Sequence, residues 1–273
     1  MYAEGDESTS RSLFEKSLDL YRKYDDSWGL GTNTLRLGMI EMAQNHDALA
    51  SSLLEQSLAW FKQSGDLWGI ARVSPYLGEL CEKQADYEGA RLYIDQQLIL
   101  DERLGFKQGI ALALLNMGNL YRVQSDYEQA EHYYEKSLSI CHQYGLKTKG
   151  YNLYVLGLLA LHRNNYPLAI QFFVSYLTTA QASQEKISVC QFLTGVAAVA
   201  SGMNQPERSA KLYGAAQAIF ETTDYRIPPF DRAEFERHIQ IAREQLGAAK
   251  FEAVVADGRA MTMEQAIAYA LEA

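Results

Sequence analysis

Arginine, asparagine and tyrosine side chains recur in this sequence at fixed distances from a series of glycines. Arg36 lies two residues before Gly38, Arg72 and Tyr76 lie six and two before Gly78, and Asn116 lies two before Gly118, with Asn119 one and Arg122 four after it. Tyr151 and Tyr154 stand six and three before Gly157. A guanidinium offers a planar fork to a carboxylate or phosphate, and an asparagine amide can bond the main chain of an extended peptide. These are means of holding a ligand rather than of transforming one. Motifs that would carry catalysis are missing: the sequence has no GxxxxGK[ST], HExxH, CxxC or GxSxG. The five histidines, His46, His132, His142, His162 and His238, fall at unrelated distances from the glycines, which argues against a metal set. His162 reads as a partly exposed histidine at a helix end.

The glycines belong to a longer repeat. Leu37-Gly38 is followed by Ala50, Leu77-Gly78 by Ala90, Met117-Gly118 by Ala130 and Leu156-Gly157 by Ala169, and Thr194-Gly195 opens a more divergent unit. The tetrapeptides EKSL, EQSL, DQQL and EKSL begin at residues 15, 55, 95 and 135, so the period is 40. Each unit reads as two amphipathic helices, with apolar residues at three- and four-residue steps on both (Leu114, Leu115, Met117, Leu120, Tyr121, then Ala130, Tyr133, Tyr134, Leu138). Polar turns such as QSDYEQ and RNNYPL separate them. A mid-helix glycine costs about 1 kcal/mol relative to alanine, so its return at one register predicts a close helix-to-helix contact at each Leu-Gly pair.

On the first helix of every unit the offsets above define one stripe, because they follow the helical turn. It carries Thr32, Leu35, Arg36, Met39 and Met42, then Arg72, Pro75, Tyr76, Glu79 and Glu82, then Leu112, Leu115, Asn116, Asn119 and Arg122. The fourth unit supplies Tyr151, Tyr154, Leu158 and Leu161; the fifth, Val189, Phe192, Val196 and Val199, is wholly apolar and is expected to pack against the C-terminal helices. The polar middle is the candidate ligand or peptide surface: Arg36, Arg72, Tyr76, Asn116, Asn119, Arg122, Tyr151 and Tyr154. The alternative is a solvated wall on which Arg and Glu of alternating helices pair with one another.

The Leu-Gly pair, the aromatic three residues later (Tyr121) and the spaced Ala130, Tyr134 and Ser137 resemble the tetratricopeptide repeat, whose usual period is about 34 residues. The units here are longer, and Trp28 and Trp68 stand upstream in SWGLG and LWGIA. Long repeats led in this way, together with the tail from Ala215 to Ala273, resemble the repeat region of bacterial signal-transduction ATPases and LuxR-type transcription regulators. That resemblance implies an all-α, right-handed superhelical solenoid of antiparallel helix pairs with a C-terminal helical cap. It also implies a non-enzymatic interaction or effector-sensing module whose partner is a protein or peptide segment, including the parent's own ATPase or output domain, or a small effector. A stand-alone adaptor for partner peptides is the competing reading. In tetratricopeptide domains that clamp peptide C-termini, Asn and basic residues take comparable positions. Asn116 and Asn119 match, and no lysine stands at the corresponding place of a neighbouring unit.

Charge and composition narrow the field. A formal net charge of −9 weighs against nucleic-acid contact, which rests on Lys and Arg neutralising phosphates. No apolar run approaches the ~18 residues of a membrane span, and Cys81, Cys141 and Cys190 have no close pairing, which fits reduced thiols in a cytoplasm. No cofactor is expected. Residues 1–26 read as a turn and second helix whose first helix is missing, because Gly5-Asp6 aligns with Ser125-Asp126, and a longer parent chain is the expectation. Repeats should fill 27–222 and capping helices 223–273. Pro228 and Pro229 precede a helix from near Asp231 that Gly247 ends; Thr262 and Gln265 should box the last helix, whose Ala266, Ile267, Ala270 and Leu271 dock where Gly214-Ala215-Ala216 leave room.

Overall fold

Over residues 27–144 helices of seventeen and eighteen residues alternate, joined by turns of three and two residues, and this regular alternation generates the period read from the sequence. In a computed structural model, residues 4–181, 186–223 and 227–272 are described. They form fourteen helices and no strand. The chain divides into two compact units, Met1–Tyr133 and Tyr134–Ala273.

The first unit contains α1 (Glu4–Lys23), α2 (Ser27–Ala43), α3 (Asp47–Ser64), α4 (Leu67–Lys83), α5 (Tyr87–Leu104), α6 (Lys107–Val123) and the start of α7 (Tyr127–Tyr144). From α1 to α6 each helix packs on the next, and α2, α4 and α6 also touch in series. The turns explain the sharp reversals. Asn45, Ala85 and Ser125 take left-handed conformations (φ 58°, 58° and 63°) after α2, α4 and α6, while Gly65 and Gly105 do the same after α3 and α5 (φ 70° and 69°). A left-handed residue past a helix end lets its amide and the next close back onto the last carbonyls. Asp26, Asp66 and Asp86 then start the following helices by accepting backbone N–H groups from Gly29, Trp68 and Gly89.

The core of this unit runs along the inner seam, with Leu35, Leu54, Leu58, Phe61, Val73, Leu77 and Leu80 all buried. Phe61 illustrates how the glycines serve it. A Cβ at Gly31 would lie 2.9 Å from its ring and one at Gly69 would lie 2.2 Å away, so this ring occupies the space that two helices leave by lacking side chains. The tightest approaches therefore fall at the first-turn glycines, with Gly29 against Tyr21, Gly69 against Phe61 and Gly109 against Asp101. At the Leu-Gly pairs the expectation holds for Gly38, whose Cβ would meet Leu54 at 2.9 Å, and fails for Gly78, whose nearest neighbour would be an ordinary 3.5 Å away. The turn expected at Gly5-Asp6 is also corrected: the backbone there is already helical, because α1 begins at Glu4.

The second unit holds the rest of α7, then α8 (Lys149–His162), α9 (Tyr166–Gln181), α10 (Lys186–Gly202), α11 (Pro206–Phe220), α12 (Pro229–Leu246), α13 (Ala248–Arg259) and α14 (Met263–Leu271). Phe173 of α9 sits between Gly157 of α8 and Gly195 of α10, at 2.7 and 2.8 Å from the Cβ each would carry. Val189, Phe192, Val196 and Val199 are buried, and α12 and α14 lie on their helix as expected. The Ser201 hydroxyl donates to the His238 carbonyl of α12 at 2.5 Å. Thr262 and Gln265 form the expected capping box.

Two expectations for the C-terminal helices are revised. The room at Gly214 is filled by α13: a Cβ there would lie 2.1 Å from the Val255 carbonyl oxygen, and reciprocally one at Gly258 would lie 1.9 Å from that of Lys211. In α14, Ala266 and Ala270 are buried but Leu271 is half exposed, and Arg208 holds the helix end by donating to the carbonyls of Ala270 (3.1 Å) and Glu272. The segment 224–226 of the tail lies outside the described residues.

Candidate functional site

Part of the predicted polar stripe is brought together in the first unit by two first-of-pair helices, α4 and α6. Pro75, Tyr76, Gly78, Glu79 and Glu82 of α4 face Leu112, Asn116 and Asn119 of α6 across a pocket of about 330 Å3, whose floor includes Ile94 of α5. Each arrives there because α4 and α6 bury their opposite faces (Val73, Leu77 and Leu80; Ala113, Met117 and Leu120) in the core, which leaves these positions on the open side. Pro75 stands in mid-helix and has no N–H, so the Ala71 carbonyl lacks its helical donor on this stretch of α4.

Arg72 sits half-buried one turn before Tyr76, its guanidinium 4.4 Å from the centre of the Trp68 ring. That separation is within cation–π range, so the ring fixes the cation at the rim. Burial and the neighbouring charge of Arg36 both pull the Arg72 pKa down from its ordinary value, against weaker support from Tyr76 and Asp66. Arg36 itself is exposed on α2. Burial raises the pKa of the Tyr76 hydroxyl. The two glutamates differ in degree. Burial pushes Glu79 up despite Lys83, although its surface is still open to solvent, because its carboxyl lies among the groove walls. Glu82 is pushed up to about 7 by burial and by Glu79, with Arg122 opposing.

Of the residues expected from the sequence, Tyr76, Asn116 and Asn119 line one pocket, and Arg72 stands within a turn of it. Arg122 is 6% exposed and is part of the packed interior rather than the lining. Tyr151 and Tyr154 belong to the second unit, where their rings lie 5.9 Å apart. Tyr154 is a correction: it is fully buried among Phe173 and Tyr176, with its hydroxyl toward Asp231 of α12 at 3.5 Å, so it belongs to the core. Along the wall the charge of Arg122 on α6 acts on Glu82 of α4. Arg72 stacks on Trp68, and Lys83 pairs with Asp47 at 3.0 Å. Sequence reasoning placed Glu79 and Glu82 on the stripe yet left them out of the site, which it built from arginine, asparagine and tyrosine. Their position one and four after Gly78 was the available signal.

A second titratable cluster lies in the other unit. Glu234 of α12 approaches Arg237 at 2.6 Å, and His162 of α8 and His238 at 3.3 Å each. Burial would raise its pKa, but hydrogen bonds from His238, Arg237 and His162 outweigh that and hold it at about 2. The nearby Ser201 bonds the His238 main chain and not its ring, so no nucleophile–base pair forms, and the cluster fastens α12 to α8. Among the described residues no group of three or more His, Cys, Asp or Glu is arranged to hold a metal, and no helix is long and apolar enough to cross a membrane.

Paired helices at a constant register, with a polar groove on the first-of-pair helices, define a helical-repeat scaffold. Residues 109–182 match the tetratricopeptide repeat model, and the same pairing of consecutive helices continues on either side of that stretch. The fold is typically a non-catalytic scaffold, and its repeats imply a protein-interaction module. BtubC from P. vanneervenii is similar in structure, with a TM-score of 0.66 at 15% identity over 82% of this chain and 94% of that one. So is a signal transduction ATPase with numerous domains from Pyrococcus horikoshii that has a tetratricopeptide repeat sensor, with a TM-score of 0.62 at 17% identity over 92% of this chain. This chain spans 39% of the length of that ATPase. No curated protein matches the sequence.

Proposed function

We propose that the chain is a non-catalytic interaction or effector-sensing module of a larger bacterial regulatory protein, and that the α4–α6 groove receives its partner. The observation that carries this reading is the convergence of Tyr76, Asn116 and Asn119 on one pocket with the Trp68-braced Arg72 at its rim. Two asparagine amides on one helix face, three residues apart, suit the alternating donors and acceptors of an extended main chain. The partner is a protein or peptide segment, in the parent's own ATPase or output domain or in a separate protein; a small effector in the same groove would act by the same contacts. A ligand bridging α4 and α6 favours one spacing of these helices, and each repeat passes a change in spacing to its neighbour. The likeness to an ATPase bearing a repeat sensor supports the regulatory setting. Unpaired cysteines and the absence of a long apolar helix among the described residues accord with a cytoplasmic site of action, and the net charge of −9 with no direct nucleic-acid contact.

BtubC, nearly all of whose length is covered, favours a second reading in which the chain is a self-contained adaptor using the same groove. Thermal-shift and calorimetric screening against peptides, nucleotides, sugars and amino acids tests both. Binding that Arg72→Ala/Asn119→Ala weakens with an unchanged melting temperature supports the groove. Binding that the double variant leaves intact places the partner elsewhere and overturns it.

A further inference from the structure

Glu79 and Glu82 are the unsettled charges of the first unit. Elsewhere the chain pairs its buried glutamates: Glu41 bonds Arg11 and His46, and Glu234 bonds Arg237, His162 and His238. Glu79 and Glu82 lie three residues apart on α4, both lining the 330 Å3 pocket, and among the described residues neither carboxylate has a hydrogen-bond or ion-pair partner. The cations that could answer them are committed. Lys83 is held by Asp47, and Arg72 is held over Trp68 on the far side of Tyr76. Arg122 reaches Glu82 only through space and leaves it well above its ordinary range. Glu79 is exposed and Glu82 partly buried, and like charges one helical turn apart repel, so a cation seated between them would relieve both, which marks the pair as a place completed from outside.

The rest of the pocket agrees on what completes it. Its apolar wall of Pro75, Ile94 and Leu112 accommodates an aliphatic stem, and its polar end is rich in acceptors: two carboxylates and the amide oxygens of Asn116 and Asn119. The geometry points to a lysine or arginine side chain of the partner segment as the occupant, its stem against Pro75, Ile94 and Leu112 and its charged head between Glu79 and Glu82. This rests on the groove reading above and gives it a polarity. The Arg36–Arg72 end then faces an acidic or carboxylate group of the same segment, so the groove reads a basic and an acidic residue in a fixed order along one strand.

The test is selection of a random decapeptide display library on the intact chain. Wild type, Glu79→Gln/Glu82→Gln, Arg72→Ala and a control with two exposed glutamates of α5 replaced (Glu88→Gln/Glu102→Gln) are compared. The expected result is enrichment of Lys or Arg at one fixed position, with affinity for a selected peptide falling about tenfold or more in Glu79→Gln/Glu82→Gln and staying level in the control, as loss of a charge-assisted contact requires. Arg72→Ala should leave the basic position enriched. If peptides without a fixed basic residue bind and Asn119→Ala weakens them, the groove stands and the cation pocket is wrong. Basic peptides weakened equally by the α5 control would show attraction to the overall negative charge and also overturn the pocket. No enrichment at all would overturn both readings.

Discussion

The two units carry the same register of helices and put it to opposite uses. In the first, the stripe on α4 and α6 stays open and holds Tyr76, Glu79, Glu82, Asn116 and Asn119; in the second, the stripe on α10 is Val189, Phe192, Val196 and Val199 and lies beneath α12 and α14. Single glycines mark the two uses: Gly214 and Gly258 under the cap admit main chain against main chain, at Val255 and Lys211, whereas Gly78 on the open face has ordinary room around it. A repeat therefore fixes where side chains point, and the residue types at those points decide whether the face is a binding surface or a seat for a cap.

Four changes would break or sharpen this contrast. Gly214→Ala is expected to be the most damaging, since its methyl would collide with a carbonyl rather than a movable side chain; a loss of about 3 kcal/mol or more should be seen in denaturant titration. Acid comes next. Because Glu234 has a folded pKa of about 2 against 4.5 when free, its support of α12 is complete above pH 4.5 and is lost as the pH falls toward 2, a matter of about 2–3 kcal/mol that Glu234→Gln should remove from the pH profile of unfolding.

The groove should respond in the other direction. Glu82, with a folded pKa of about 7 against 4.5, favours the folded state most fully below pH 4.5 and loses that contribution as the pH rises through 7. Glu82→Gln should then stabilise the chain at pH 8 by about 1 kcal/mol after allowance for solvent screening, read as slower amide exchange in α4. Gly78→Ala, the smallest effect, should be neutral or stabilise by up to about 1 kcal/mol through helix propensity. A large destabilisation there would restore a close contact at every Leu-Gly pair and erase the distinction.

Much of this architecture was legible in the residues. Turn residues, the 40-residue period, Ala50, Ala90 and Ala169 as buried contacts and the Thr262–Gln265 box follow from local rules that need no knowledge of the third dimension. The stripe count likewise brought Tyr76, Asn116 and Asn119 to one pocket. What escaped were features set by non-local partners. Tyr154 has the register of a groove residue, and it is the packing of Phe173 and Tyr176 of α9, with Asp231 of α12 at its hydroxyl, that makes it core. Gly31 and Gly69 resemble ordinary helix-start glycines until Phe61 is seen between them. Whether Glu79 and Glu82 found counter-ions could be known only once Lys83 was seen with Asp47 and Arg72 with Trp68.

The stack of Arg72 on Trp68 has an optical consequence. The indole is 43% exposed, and its emission senses the charge lying over it, so a segment that draws Arg72 toward its own carboxylate changes the colour and yield of that one tryptophan. With Trp28 and Trp60 replaced by phenylalanine, the groove carries its own lamp, and the arrival of a partner can be followed in real time without attaching a dye.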